Sequence, residues 1–153
     1  MELPIQKLDP KAVLPRYATS GSAGLDLCAC LDAPLTLERH ATGSEQGRWN
    51  CVKVPTGLAM AIPEGYVGLI FARSGLATKH GLTPANCVGV IDSDYRGEIV
   101  VALVNLGGSD YIIQPGERIA QMVIVPCAQP ALVETDALSQ TDRGAGGFGS
   151  TGR

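Results

Sequence analysis

Three observations predict that this sequence forms an all-β domain. Nineteen glycines and ten prolines interrupt the 153 residues at short intervals. No long apolar stripe with helical spacing lies between them, and the apolar segments are short and rich in valine, isoleucine and leucine. Segments of that length, bounded by turn residues, are typical of the strands of a β-sandwich, a barrel or a jelly roll.

Six segments are predicted strands: Gly24–Cys30, Cys51–Val54, Leu58–Ile62, Tyr66–Phe71, Glu98–Val104 and Ile119–Val125. The last of them also matches helical spacing, but Pro115-Gly116 before it and Pro126 after it favour a strand. One short helix is predicted at Ser74–Lys79, with Ser74 as its N-cap and Gly81 at its end. The polar segment Glu38–Arg48 is predicted to be a surface loop.

Composition narrows the class of protein. Hydrophobic residues make up 45% of the chain and charged residues 18%, which indicates one globular domain. The net charge is −3 and no basic stripe is present, so a nucleic-acid duplex is not expected as a partner, whereas a small anion is compatible. Five scattered cysteines without C-x-x-C spacing predict free thiols. No membrane segment and no secretory signal are recognisable, so we expect a cytoplasmic protein.

The tail Arg143–Arg153, RGAGGFGSTGR, is set apart from the β-domain of residues 1–142. Five of its eleven residues are glycine, so it cannot build a core. It is either a disordered terminus or an arm that orders over a ligand. For the second role, glycine amides, arginines and hydroxyls suit phosphates, and Phe148 could stack on a base.

The tripeptide Arg73-Ser74-Gly75 follows the apolar segment Tyr66–Ala72 and opens the predicted helix. An arginine and a serine in that place can bind an anion together with the start of the helix. The alternative is a surface arginine beside a capping serine, and the tripeptide alone does not decide between them.

Two carboxylates are candidates for chemistry. Asp92 follows Val90-Ile91 in a segment with hairpin turn residues, where partial desolvation would suit it to accept a proton from water; an ordinary acidic turn is the alternative. Asp26 lies in an apolar strand segment and needs a partner. That partner is either a magnesium ion, contacted through water, or the cation of a structural salt bridge.

Five stretches in this order resemble the motifs of the trimeric dUTP diphosphatase family. They are Ala23–Leu27, Ala72–Leu76, Gly89–Gly97, Gly116–Gln121 and the tail from Arg143 to Gly152. Each is weak alone, but their joint order across almost the whole chain is specific. The segment Glu38–Trp49 departs from the pattern, since it is longer than a compact family member needs.

The resemblance implies a jelly-roll-like β fold and a homotrimer whose active sites are shared between subunits. It implies magnesium-dependent hydrolysis of dUTP to dUMP and pyrophosphate, which limits uracil in DNA and supplies dUMP for dTMP synthesis. By position, Asp92 is similar to the catalytic base, Arg143 to the catalytic arginine of a closing arm, and Asp26 to the residue that contacts Mg²⁺ through water. The positions that match substrate-binding residues are Arg73, Ser74, Gly75, Asn86, Gly89, Val90, Ile91, Tyr95, Ile99, Gln121, Phe148, Gly149, Ser150 and Thr151.

Two rival interpretations are weighed against this one. The dCTP deaminases share the fold and the trimer, but they carry a different constellation where this chain has Asp92 followed by Ser93-Asp94-Tyr95. A non-enzymatic binding protein on the same scaffold is the other rival. The presence of Asp92, Arg143 and Phe148 argues against it.

Overall fold

Twelve short strands and one helix are found in the computed structural model, which describes residues 1–39 and 50–147. The strands are β1 (Ile5–Lys7), β2 (Arg16–Tyr17), β3 (Leu25–Cys28), β4 (Leu35–Leu37), β5 (Cys51–Pro55), β6 (Leu58–Met60), β7 (Tyr66–Ala72), β8 (Leu82–Pro84), β9 (Gly89–Ile91), β10 (Val100–Asn105), β11 (Tyr111–Ile113) and β12 (Arg118–Pro126). The helix α1 spans Ser74–His80. The predicted all-β class is confirmed.

The largest sheet has the strand order β2-β3-β12-β7-β9, and every pair in it is antiparallel. A second sheet has the order β5-β10-β8, and two further pairs are formed by β1 with β6 and β11 with β4. These sheets pack in a sandwich-like, jelly-roll arrangement. The central strand β12, which also matched helical spacing, is a strand as predicted.

The core lies between the sheets and is built from their inward side chains. Aliphatic residues dominate it, because alternate residues of each strand point to the same face of a sheet. Its members with essentially no exposed surface include Leu27, Leu37, Val54, Leu58, Ile99, Ile113 and Met122. All five cysteines are free thiols, as predicted. Within the described ranges, no helix is long and apolar enough to cross a membrane.

The helix α1 begins and ends by different means. Its N-cap is Arg73, in an extended conformation and without a side-chain cap, so the prediction of Ser74 as N-cap is wrong. Gly81 ends the helix as predicted, with a left-handed φ of 71°. A Cβ atom at position 81 would lie 2.4 Å from the backbone nitrogen of Gly107, so both the conformation and the close approach require glycine.

The turn after β9 differs from the predicted hairpin. β9 pairs with β7, whereas β10 pairs with β5 and β8, so the turn connects two sheets. The predicted strand Glu98–Val104 begins only at Val100. The reason is that the backbone of Ile99 bonds to Thr56 and Leu58, which draws the chain away from β9.

Most strands of two or three residues escaped prediction, because periodicity cannot be recognised over so few positions. Six of these strands lie outside every predicted strand: β1, β2, β4, β8, β9 and β11. Of the predicted surface loop, Glu38 and Arg39 lie outside any strand. Positions 40–49 of that segment lie outside the described residues.

Candidate active site

Three neighbouring strands bring together the polar residues of what we call the arginine pocket. In the five-stranded sheet, Gln121 of β12 is in register with Asp26 of β3 on one side and with Phe71 of β7 on the other. The chain then leaves β7 through Arg73-Ser74-Gly75 into α1. The resulting cavity has a volume of about 370 Å³ and is lined by Ala18, Ser22, Gly24, Asp26, Arg73, Ser74, Gly75 and Gln121.

Asp26 forms two ion pairs. Its Oδ1 atom accepts a hydrogen bond from Arg73 Nε at 2.9 Å, and its Oδ2 atom accepts one from Arg118 Nη1 at 3.0 Å. The Asp26 side chain is 13% exposed and that of Arg73 is 28% exposed. The salt-bridge alternative for Asp26 is therefore present in the single chain. Because Arg73 uses only Nε for Asp26, its two terminal amino groups remain available for an anion.

The residues of the arginine pocket also fit the magnesium ion that the resemblance implies. Each Asp26 oxygen accepts one hydrogen bond and retains lone-pair capacity for a water ligand of the ion. Within residues 1–39 and 50–147, no group of three or more Asp, Glu, His or Cys side chains could form a protein cage for a metal. Magnesium held by one carboxylate, water and substrate phosphates suits such a site.

Gln121 is fixed in the arginine pocket from two sides. Its Nε2 donates to the carbonyl oxygen of Ala72 at 3.0 Å, which turns Oε1 toward Gly24. A Cβ atom at position 24 would lie 2.7 Å from that Oε1. Gly24, just before β3, therefore leaves room for the glutamine in this position, a contact that only the packed strands reveal.

A second cavity, which we call the strand gap, opens between β9 and β10. It has a volume of about 190 Å³, and its lining comprises Ile70, Pro84, Asn86, Gly89, Val90, Ile91, Val100, Val101 and Ala102. β9 is an edge strand, and β8 pairs with β10 from Leu103 onwards. Ala85 N also donates to Ala102 O at 2.8 Å, so the edge of β10 beside the gap is at Val100 and Val101. Backbone edges of both strands thus border the gap. An edge of this kind can hydrogen-bond a flat ligand as it would bond a neighbouring strand.

One predicted residue of this region lies elsewhere. Ile99 is fully buried, its N–H donates to Leu58 O at 2.7 Å, and its carbonyl accepts from Thr56 Oγ1 at 2.6 Å. It does not line the strand gap, because these bonds occupy its backbone; Val100 takes the place beside the gap. Cys87, next to Asn86, has a left-handed φ of 64°.

Asp92 lies just beyond the strand gap in a third cavity, the Asp92 cavity. This cavity of about 380 Å³ is lined by Lys53, Val90, Ile91, Asp92, Tyr95, Glu98, Val100 and Ala102. Asp92 is exposed, so the partial desolvation expected from the sequence is not found in the single chain. Lys53 was not a predicted site residue. Its position on β5 shows no signal in the sequence, since only the pairing of β5 with β10 brings it near Asp92.

The register of β7 separates Asp92 from the arginine pocket. Ile91 pairs with Gly68, and Asp92 continues away from Ala72, the end of β7 that leads to Arg73. The five residue-to-residue steps from Gly68 to Arg73, along an extended chain, correspond to roughly 16 Å. The arginine pocket and the Asp92 cavity also share no lining residue. One chain therefore does not place Arg73 and Asp92 around the same phosphate group.

Two residues of the fourth motif, Gly116–Gln121, have different roles in the structure. Gln121 lines the arginine pocket, whereas Glu117 braces a turn: its Oε1 accepts from the Tyr111 hydroxyl at 2.6 Å and its Oε2 from Gln114 N at 2.8 Å. Burial and, after it, the hydrogen bond to Glu117 raise the pKa of Tyr111 to about 12. The hydroxyl consequently remains a donor at any ordinary pH.

The described part of the tail, residues 143–147, is exposed except at the half-buried Gly146. Arg143 Nε donates to the carbonyl oxygen of Gly146 at 2.9 Å across a turn that includes Gly144. The structure does not bring Arg143 to the arginine pocket, whose lining is drawn from residues 18–121. Phe148, Gly149, Ser150 and Thr151, which were predicted to bind substrate, lie outside the described residues.

Comparison with known proteins agrees with this geometry. The chain matches the dUTPase family over residues 10–152. The deoxyuridine 5'-triphosphate nucleotidohydrolases of Ralstonia nicotianae and Burkholderia thailandensis are each 49% identical to it, over 100% of this chain and 99% of each relative.

Solved structures are also similar. A mutant Staphylococcus bacteriophage 80alpha dUTPase with dUpNHpp superposes with a TM-score of 0.84 and 28% identity, over 99% of both chains. A mutant dUTPase from phage phi11 of S. aureus, in which the coordination of a structural Mg(II) ion was seen, gives 0.76 and 25%, over 90% of this chain and 98% of that one. The match over residues 10–152 and the relatives at 49% identity show that the chain belongs to the dUTPase family.

Proposed function

We propose how this dUTPase, which hydrolyses dUTP to dUMP and pyrophosphate, builds its active site. The strand gap binds uracil, the Asp92 cavity holds the sugar and the attacking water, and the arginine pocket binds the phosphates. The arginine pocket of each site belongs to a different copy of the chain from the strand gap. This proposal is based on the distance between the two halves within one chain. Gly68 pairs with Ile91, the residue before Asp92, and lies roughly 16 Å along β7 from Arg73.

A homotrimer would join the two halves of the site and cover an exposed apolar segment. Residues 128–141, which follow β12, form no strand or helix and are exposed throughout. Leu132, Val133 and Leu138 in this segment are 96%, 81% and 85% exposed. Burying three such side chains against another copy would contribute about 1.5–3 kcal/mol each. This segment is therefore suited to subunit contact.

Asp92 would act as the general base. Its carboxylate accepts a proton from a water molecule, whose oxygen attacks the α-phosphorus in line with the bond to the bridging oxygen of the β-phosphate. That bond breaks, pyrophosphate leaves, and dUMP keeps the new oxygen. A substrate and a second subunit would supply the desolvation that the single chain lacks, which would raise the basicity of the carboxylate.

The arginine pocket would hold the triphosphate. The terminal amino groups of Arg73, the Ser74 hydroxyl, the Gly75 amide and Gln121 provide donors, and Asp26 would hold the magnesium ion through water. The ion supplies charge neutralisation on the phosphate oxygens when bound. Phosphoryl chemistry depends mainly on positioning and electrostatic stabilisation, which these fixed side chains provide.

The strand gap and Tyr95 would select the nucleoside. Backbone groups of Gly89 to Ile91, with Asn86, would read the uracil edge, and cytosine would leave buried groups unpaired. Tyr95, 43% exposed beside Asp92, would pack against the deoxyribose where a 2′-hydroxyl would not fit. The free thiols agree with a reducing cytoplasm as the place of action.

Asp92→Asn tests the assignment of the base. Asparagine keeps the shape but cannot accept the proton at useful basicity, so kcat for dUTP should fall by about 10²–10⁴-fold. The Kd of a non-hydrolysable dUTP analogue, measured by calorimetry, should change little. Glu64→Gln is the matched control, since Glu64 is also exposed near Asp92, and it should keep the parent's kcat. Turnover by Asp92→Asn close to the parent's would refute the assignment.

Truncation after Asp142 tests the arm. We propose that residues 143–153 close over the bound substrate, with Arg143 on the phosphates and Phe148 over uracil. Loss of this cover would admit water and remove a phosphate contact, so kcat should fall by about 10²-fold while the melting temperature stays within a few degrees. Arg143→Lys keeps the positive charge but cannot form two parallel hydrogen bonds to a phosphate. Its kcat should therefore lie between that of the parent and that of the truncated chain. Full activity of the truncated chain would show that the tail has no catalytic part.

A further inference from the structure

The ring of Tyr95 rests directly on Gly97. A Cβ atom at position 97 would lie 2.4 Å from Tyr95 Oη, 2.6 Å from Cζ and 3.0 Å from Cε2. Gly97 is not among the residues with positive φ, so its conformation does not call for glycine. The three atoms nearest to such a Cβ all belong to the Tyr95 side chain. Because that ring is 43% exposed, it would give way to a methyl group while the backbone stayed in place.

The Tyr95 hydroxyl is held at the same point. It donates a hydrogen bond to the carbonyl oxygen of Glu98 at 3.0 Å. The Glu98 carboxylate in turn accepts from the backbone N–H of Gly57 at 2.7 Å, in a partly buried contact. Tyr95 is thus connected, through one residue, to the turn between β5 and β6.

The turn between β5 and β6 is held by several hydrogen bonds and by close packing. Thr56 is fully buried, and its hydroxyl donates to Ile99 O at 2.6 Å. Ile99 N donates to Leu58 O at 2.7 Å, and Leu8 N donates to Gly57 O at 2.8 Å. A Cβ at position 57 would lie 2.8 Å from Ala12 Cβ and from Cys30 Sγ, so the turn is packed on its outer side as well. The Glu98 anchor therefore has little freedom to move.

We infer that Gly97 and Glu98 are positioning residues that fix the Tyr95 ring and so set the enzyme's preference for deoxyribose over ribose. Gly97 leaves room for the hydroxyl end of the ring close to the backbone. Glu98 connects the Tyr95 hydroxyl to the Thr56–Leu58 turn. A Tyr95 ring held in one position would clash with the 2′-hydroxyl of a ribose. A mobile ring could move aside and admit the ribose. The inference rests on the proposed contact of Tyr95 with the sugar.

Gly97→Ala is the direct test. The added methyl displaces the ring, so the ratio of kcat/KM for dUTP to that for UTP should fall roughly tenfold. Gly108→Ala is the matched control, since a Cβ at position 108 meets nothing within 4 Å, and it should keep the parent's ratio. Thermal unfolding and the oligomer size would be measured on both. An unchanged ratio in Gly97→Ala would overturn the inference.

A double-mutant cycle separates this inference from the function on which it rests. Tyr95→Ala should lower the dUTP/UTP ratio, and adding Gly97→Ala should then lower it no further, because the nearest group that the methyl would displace is gone. If Tyr95→Ala lowers the ratio and the effect of Gly97→Ala is the same with or without the tyrosine, the inference alone fails. If Tyr95→Ala leaves the ratio unchanged, the sugar contact itself is refuted, and the inference with it.

Glu98 supplies a second arm of the test. Glu98→Ala removes the acceptor for Gly57 N–H and should lower the ratio, whereas Glu98→Gln keeps an acceptor oxygen and should restore most of it. If Glu98→Ala and the parent have the same ratio of kcat/KM for dUTP to that for UTP, Glu98 is not a positioning residue for Tyr95.

Discussion

The arginine pocket and the strand gap differ in how far one chain completes them. In the arginine pocket, Asp26, Arg73 and Arg118 are already paired, and Gln121 is hydrogen-bonded to Ala72. The strand gap borders strand edges without such pairing, and Asp92 and Tyr95 beside it are exposed. The arginine pocket, the proposed phosphate half of the site, is therefore preorganised by its own chain, whereas the strand gap and the Asp92 cavity, the proposed nucleoside half, are more open.

This difference fits the ligands proposed for the two half-sites, which are phosphates for the arginine pocket and a nucleoside for the strand gap and the Asp92 cavity. A triphosphate carries charge that must be met by donors already in place, since reorienting arginines during the reaction would cost free energy. A base and a sugar are recognised largely by shape and by edge hydrogen bonds, which open strands provide. The two halves can therefore be disturbed independently, and experiments can ask whether they meet across subunits.

Subunit complementation should give the largest effect. Arg73→Ala disables the arginine pocket and Asp92→Asn disables the base, so either variant alone should be nearly inactive. Co-expressed in equal amounts with different tags, they should form mixed trimers in which about a third of the sites combine an intact Arg73 with an intact Asp92. Activity of the doubly tagged fraction, per mole of protein, measures this recovery.

The control for complementation is a mixture of the two separately purified variants, assayed before subunits can exchange. It should show only the sum of the two residual activities. If mixed oligomers are isolated but show no recovered activity, Arg73 and Asp92 of each site belong to the same chain. The proposal that the two half-sites come from different subunits is then refuted.

Asp26→Ala should lower activity less than the two preceding variants do. It tests whether Asp26 preorganises the arginine pocket by orienting Arg73. Without the carboxylate, Arg73 loses its orienting partner, so kcat/KM for dUTP should fall roughly tenfold to a hundredfold. Asp26→Asn keeps an acceptor for Arg73 Nε and should lose less. Magnesium titrations of activity would separate the two roles of the residue.

Two outcomes of the Asp26 experiment are decisive. Equal losses in Asp26→Asn and Asp26→Ala, with the magnesium requirement raised in both, would show that the charge matters and the orientation of Arg73 does not. Asp32→Ala is the control, because Asp32 is an 88% exposed carboxylate paired with Lys11 at the surface, and it should behave as the parent.

Prediction from sequence succeeded where a signal spans several residues. The runs Tyr66–Phe71 and Ile119–Val125 were long enough to be recognised, and they are the central strands β7 and β12. It failed for most strands of two or three residues and for the N-cap of α1, where Arg73 rather than Ser74 stands. It also misjudged the turn after β9, because hydrogen bonds between Ile99 and a turn more than forty residues away decide where β10 begins.

The sequence by itself determined the all-β class, the free thiols, the candidate carboxylates and the resemblance of five ordered motifs to the dUTP diphosphatases. Spacing and residue type carry that information locally. Only the tertiary structure decided that Asp26 is paired with Arg73 and Arg118, that Asp92 and Arg73 lie at separate places along β7, and that Gly24 and Gly97 yield space to Gln121 and Tyr95. These facts depend on strand register and on the close approach of residues distant in sequence or folded back on one another, which no local pattern encodes.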